Sequence, residues 1–94
     1  MGVGVPQAFF VDQNYPNPFN PSTSIRYQLA KDDVVRLKVY NALGQEVATL
    51  FNGQQQAGAH TATWDAKNIA SGTYYYRLEV GGVSLPAKKA ILLK

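Results

Sequence analysis

The sequence holds one histidine, His60, and no cysteine. That combination already restricts the chemistry. Disulfides, zinc–thiolate sites and cysteine nucleophiles are excluded. A hydrolytic triad needs a nucleophile, a base and an orienting carboxylate within hydrogen-bond reach. Ser22, Ser24, Ser71 and Ser84 are available, but none sits in a Gly-x-Ser-x-Gly elbow. His60 follows Gly58-Ala59 at the start of an alternating run, the position of a half-buried strand-start histidine. Six carboxylates are present. Asp32-Asp33 fall in a turn, and Glu46, Asp65 and Glu79 lie apart, so no glycosidase pair facing across a cleft is expected. Asp12, Asn14, Asn17 and Asn20 could offer hard oxygens to calcium, but they lack EF-hand spacing, and asparagine beside proline is ordinary turn chemistry. Tyr74, Tyr75 and Tyr76 invite a stacking role, yet on a strand Tyr74 and Tyr76 face one way and Tyr75 the other. One exposed ring is a poor platform. The residues read as a binding or adaptor domain, not an enzyme, with no cofactor.

The elements that would position these side chains are strands. No stretch of a dozen residues carries an i, i+3, i+4, i+7 apolar stripe free of Gly or Pro. Period-2 runs occur instead. Ile25-Tyr27-Leu29, Val35-Leu37-Val39, His60-Ala62-Trp64 and Tyr74-Tyr76-Leu78-Val80 all alternate with mostly polar neighbours. Gly44, after Asn41-Ala42-Leu43, supplies the positive φ that closes a hairpin. Asn52-Gly53 and Gly58 bracket a polar loop, Asp65 to Gly72 forms another, and Gly81-Gly82 marks a two-residue hairpin. Pro86 makes the last strand an edge or breaks it. Six strong strands and a weak one predict an all-β fold: an immunoglobulin-like β-sandwich of about seven antiparallel strands, with a small closed barrel as the alternative. The expected core is Ile25, Tyr27, Leu29, Val35, Leu37, Val39, Val47, Leu50, Ala62, Trp64, Tyr74, Tyr76, Leu78 and Ile91. A hydroxyl of Tyr74 or Tyr76 is expected to return to an upstream backbone group, as a tyrosine corner does.

At 94 residues and a net charge of +3, the chain is one domain. Residues 9–94 form it, and residues 1–8 read as a linker remnant or artificial start without a signal peptide. The nine Lys and Arg are scattered, which argues against nucleic acid as a partner. Apolar runs are too short for a membrane-spanning helix, and no direct membrane insertion is expected. Asp12 to Pro21 stands apart: three prolines forbid a helix, and each pushes its predecessor toward extended geometry. It reads as an ordered, stiff lead-in that Tyr15 and Phe19 pin to the sandwich.

Several stretches together resemble one family. Gln13-Asn14-Tyr15-Pro16-Asn17-Pro18-Phe19-Asn20-Pro21-Ser22-Thr23 followed by Ile25-Arg26-Tyr27 is the most specific. Leu37 to Val47 around Gly44, Gly58 to Asp65 with Trp64, Ala70 to Leu78 with Gly72 and Tyr74, and Lys88-Lys89-Ala90-Ile91-Leu92-Leu93-Lys94 complete the set. From about Phe10 to Lys94 the chain resembles the C-terminal sorting domain of the type IX secretion system. The Trp64-Asp65 … Ser71-Gly72-Thr73-Tyr74 pattern is also similar to the immunoglobulin-like domain of the flagellar hook-cap protein, a domain not associated with the Asn-Pro-Phe-Asn-Pro lead-in.

The sorting-domain resemblance implies a non-catalytic domain that directs a fused N-terminal cargo across the outer membrane. Its partners would be the outer-membrane translocon and, in many members, a sortase that removes the domain. The precursor would pass through the periplasm and be secreted or displayed on the cell surface. The alternative is an immunoglobulin-like adaptor that binds carbohydrate or protein beside a catalytic domain. Recognition is expected on the terminal stretch, at Lys88, Lys89, Ile91, Leu92, Leu93 and Lys94, with Ile91 in the core and Leu92 or Leu93 outward. Removing Leu92 to Lys94 is therefore expected to block export and leave the domain folded. Tyr15, Pro16, Asn17, Pro18, Phe19, Asn20, Pro21, Gly44, Trp64, Gly72 and Tyr74 are expected to serve structure, and no metal is expected.

Overall fold

The computed structural model describes residues 9–94. The expectation for residues 1–8 lies outside them. Eight strands follow in order: β1 (Phe9–Val11), β2 (Ser22–Leu29), β3 (Asp33–Tyr40), β4 (Glu46–Gln55), β5 (Gly58–Asp65), β6 (Gly72–Val80), β7 (Val83–Ser84) and β8 (Lys88–Leu92). They form two antiparallel sheets: β1-β2-β5, and β4-β3-β6 with β7 and β8 both paired to β6. Two separate sheets make a sandwich and dispose of the closed barrel. There are eight strands because both marginal features occur. The short β1 forms, and the chain breaks around Pro86, so β7 takes Glu79–Val80 of β6 while β8 takes Gly72–Tyr76.

The alternating residues face inward as their period requires. Ile25, Tyr27, Leu29, Val35, Leu37, Val39, Trp64, Tyr74, Tyr76 and Leu78 are buried. Burying one such side chain stabilises by about 1.5–3 kcal/mol. Val47, Leu50 and Ala62 are only half-buried, because β4 and β5 each have one unpaired edge and close one side of the sandwich. Val11, Phe19, Ala66, Val80, Ala90 and Leu92 complete the core instead. The expected polar loop from Asn52 also differs. β4 continues to Gln55, because the backbone of Asp33–Arg36 on β3 offers partners that far. Its polar side chains sit at the sandwich margin, where Gln55 Oε1 accepts a hydrogen bond from Tyr27.

Both tyrosine hydroxyls return to backbone. Tyr74 donates to Ala70 O at 2.6 Å, the local corner, and Tyr76 reaches across the sandwich to Asp12 O at 2.7 Å. Burial is the main cause that pushes the Tyr76 phenol up to about 12 from its ordinary 10.0; Asn14 backbone bonding opposes it, and Asp12 adds a smaller upward push. Tyr27 moves the same way, chiefly by burial.

The turns match their residues. Gly44 has φ +84°. Asn41 caps that turn, its Oδ1 accepting from Leu43 N at 2.9 Å and Gln45 N at 3.0 Å. Gly81 and Gly82, at φ +58° and +86°, form the turn between β6 and β7.

Two outcomes are expected. Gly44→Val places a β-branched residue at positive φ and should lower stability by at least about 1 kcal/mol, read as a lower denaturant midpoint. The second concerns alkali. Below pH 10 the Tyr76 phenol is protonated in both states and contributes its full stabilisation. Above it the unfolded phenol ionises while the folded one keeps its proton to about 12, so stability should fall through that window. Denaturant midpoints measured across pH 9 to 12 should fall less steeply for Tyr76→Phe than for wild type.

Candidate functional site

The terminal strand β8 pairs with β6 along one edge only. A strand in that position leaves a row of unpaired backbone groups on its other edge. Here the proline-rich segment fills that edge. Phe19 N donates to Ile91 O at 2.9 Å, and Leu93 N donates to Phe19 O at 3.0 Å, a parallel bridge between Phe19 and Leu92. Asn17 Oδ1 accepts from Ile91 N at 2.8 Å. Gln13 Nε2 donates to Lys89 O at 2.6 Å. Lys89 O, Ile91 N, Ile91 O and Leu93 N are thus satisfied by a segment about seventy residues earlier in the chain.

The segment is fixed at both ends. Tyr15 exchanges backbone bonds of 2.9 Å with Ser24 of β2, and Pro21 O accepts from Ala66 N at 2.8 Å. Beneath it lies a small polar network. Asn14 Nδ2 donates to Thr23 Oγ1 at 2.9 Å, and Thr23 Oγ1 donates to Pro16 O at 2.8 Å. Asn14 and Thr23 are both 2% exposed, so these bonds replace water that cannot reach them. Pro16, Pro18 and Pro21 have no N–H, so the outside of this segment cannot template a further strand. All three X–Pro bonds are cis.

Phe19 anchors the seam. It is 2% exposed, and its ring centroid lies 5.2 Å from that of Trp64, which in turn meets Tyr74 edge-on at 5.4 Å. Tyr15 does not share this role. It is 80% exposed, because its backbone, not its ring, ties to β2.

The terminal residues differ from expectation by one position. Tyr74 pairs with Ala90, and Gly72 with Leu92, so Ala90 and Leu92 point inward beside Tyr74. Leu92 is fully buried and Ile91 only half-buried on the outer face. Apolar residues at three successive positions gave no period to choose between faces, and the register against β6 decides. Leu93 is 57% exposed. Lys88 is half-buried, and Lys89 and Lys94 are exposed. Lys94 is nonetheless tethered: its N–H donates to Ser71 Oγ at 3.0 Å and its Nζ to Lys67 O at 2.6 Å. Removing Leu92 to Lys94 would take out a core side chain and half of the Phe19 bridge, so that truncation cannot leave the domain intact. Gly72 sits directly opposite Leu92, whereas Gly44 belongs to the β3–β4 turn and takes no part in the seam.

The other candidate groups are engaged structurally. His60 stacks on Tyr27 at 5.4 Å and hydrogen-bonds Gln56 O through Nε2 at 2.7 Å. Asp32 and Asp33 accept from backbone N–H of Ala57 and Val34, and Asp65 accepts from Lys67 N. The Asn14 and Asn17 oxygens offered to calcium accept from Gln13 and Ile91 instead. No cluster of three His, Cys, Asp or Glu able to hold a metal occurs among the described residues.

A family model, the FlgD Ig-like domain, matches residues 19–82. The chain belongs to the FlgD Ig-like domain family. This bears out the immunoglobulin-like resemblance read from the sequence. Among solved structures, this Ig-like domain is similar to the crystal structure of dimeric latent PorU from Porphyromonas gingivalis. The TM-score is 0.75 at 22% identity, over 97% of this chain and 10% of that one. That likeness carries the fold, and the chain spans about a tenth of its neighbour's length. No curated protein matches the sequence. The family match begins at Phe19 and ends at Gly82. Asn17 and β8, which meet in the seam, both lie outside it.

Phe19→Ala and Leu92→Ala should each destabilise the domain by about 2–5 kcal/mol, while Tyr15→Ala should stay within about 0.5 kcal/mol of wild type. Denaturant titration of the three variants checks this ordering.

Proposed function

We propose that the chain is the C-terminal sorting domain of a type IX secretion cargo, exported through the outer-membrane translocon and removed by a sortase where one acts. The observation that carries the reading is the seam. The Asn-Pro-Phe-Asn-Pro lead-in belongs to the sequence's most specific point of resemblance to sorting domains, and the Lys-rich terminal stretch is another. The FlgD Ig-like match begins inside the first, at Phe19, and ends before the second, and the two are hydrogen-bonded to each other. The fold neighbour, dimeric latent PorU, shares the fold that this reading requires.

On this reading the signal is a folded surface rather than a linear tail. Lys89, Leu93 and Lys94 present the outward chemistry, and Ile91 lies beside them on the outer face of β8. Leu92 and Phe19 hold that strand in place. The domain performs no catalysis. Its cargo crosses the periplasm and reaches the medium or cell surface.

The test fuses residues 9–94 behind a reporter carrying a signal peptide, in a bacterium with a type IX system. The reporter should reach the medium or cell surface, and should stay in the periplasm of a strain lacking the translocon. Leu93→Asp should reduce export without shifting the thermal midpoint, because Leu93 is exposed. Retention of the wild-type fusion in the periplasm would reject the reading and favour the adaptor.

A further inference from the structure

The outward face of the larger sheet carries a pattern that folding alone does not require. On β3 and β6, Arg36 lies opposite Glu79, Lys38 opposite Arg77, and Tyr40 opposite Tyr75. Lys89 of β8 follows beside Tyr75. Arg36 pairs with Glu79 at 3.5 Å, and Lys38 with Glu46 at 3.3 Å. Glu46 is held below its usual range, first by a hydrogen bond from Thr49 and then by Lys38. Arg77 and Lys89 take part in none of the ion pairs among the described residues. Arg77 instead lies 5.6 Å from the Tyr40 ring centroid.

Like charges directly opposite on neighbouring strands destabilise a sheet. Lys38 and Arg77 are such a pair; Glu46 offsets Lys38 and Glu79 borders the same depression, so Arg77 is the cation left for a bound anion to offset. Space for one is present. Two depressions of about 160 and 260 Å³ lie on this face, and Tyr40 and Arg77 line both. The second reaches Tyr75 and Ala87, where the chain has left the sheet between β7 and β8.

We propose that this face binds an acidic polysaccharide, with an anionic substituent in the first depression, at Lys38 and Arg77, and a sugar ring in the second, against Tyr75 and its cross-strand neighbour Tyr40, which supplies the second ring that Tyr75 alone lacks. A guanidinium fork suits carboxylate or phosphate, and a tyrosine face suits the apolar side of a sugar ring. An acidic peptide fits less well. Peptides add to sheets through free backbone groups, and β3 and β6 are paired on both edges. Only side chains are on offer here, which favours a ligand read by charge and ring. The proposal does not depend on the sorting role, since none of Lys38, Tyr40, Tyr75 and Arg77 belongs to the seam.

The test titrates the full chain, labelled for amide NMR, with oligogalacturonate for carboxylate and phosphomannan for phosphate. Neutral dextran and polyglutamate serve as comparisons. At least one acidic glycan should give saturable shifts at Lys38, Tyr40, Tyr75 and Arg77, and these should weaken as salt rises past about 0.15 M. Arg77→Glu should weaken binding by about tenfold or more at an unchanged thermal midpoint. Arg77→Gln and Tyr75→Ala supply the same readout should the charge reversal perturb folding. Absence of saturable shifts, affinity indifferent to these substitutions, or equal binding of dextran would overturn the proposal. Tighter binding of polyglutamate would overturn it in favour of an acidic peptide.

Discussion

A strand at the end of a sheet must satisfy its outer edge, and the way β8 does so shapes the rest of this molecule. Water could solvate that edge, but an open edge also invites another chain. Here Gln13, Asn17 and Phe19 supply the bonds, and the prolines around them prevent the edge from being passed on. The two ends of the described chain are thereby joined, although they lie in different sheets. Tyr15 ties the segment to β2 of the smaller sheet, and Phe19 ties it to β8 of the larger.

This arrangement gives Phe19 its place in the core. With its backbone bonded on both sides of Leu92, its ring has one direction left, toward Trp64. The resulting Phe19–Trp64–Tyr74 contact joins the lead-in, β5 and β6 in one aromatic cluster. Tyr76 adds a second tie by reaching Asp12 O from β6. Buried apolar area and satisfied backbone groups reinforce one another at the same point, which is the consistency a single native state requires. A conformational cost remains in ordering an irregular ten-residue segment. The prolines reduce it by limiting the unfolded chain beforehand.

Much of this was legible in the sequence, for identifiable reasons. The period-2 runs of β2, β3 and β6 told inside from outside because polar and apolar residues alternate there. Gly44 and Gly81-Gly82 announced turns through a conformational demand that few other residues meet. The lead-in read as ordered because prolines and aromatics occur together in it. The face of β8 did not read correctly, since Ile91, Leu92 and Leu93 carry no alternation and only the pairing of Ala90 with Tyr74 fixes it. Tyr15 and Phe19 looked equivalent as aromatics four residues apart. The backbone bridge at Tyr15 turns one ring to solvent, while the bridge at Phe19 buries the other. The facing of Tyr40 with Tyr75, and of Lys38 with Arg77, is a property of register between strands some thirty-five residues apart, and no local pattern encodes it.

The functional reading and the fold therefore meet at one set of hydrogen bonds. If the seam is the element that makes the terminal stretch a surface rather than a tail, its amides must be as protected as those of the core. Amide hydrogen exchange at Phe19, Ile91 and Leu93 measures this directly, since each donates across the seam. The account predicts slow exchange at all three, comparable with Tyr74, and selective loss of protection at Ile91 in Asn17→Ala. Exchange of Phe19, Ile91 and Leu93 at the rate of an unstructured peptide, while Tyr74 stays protected, would contradict it.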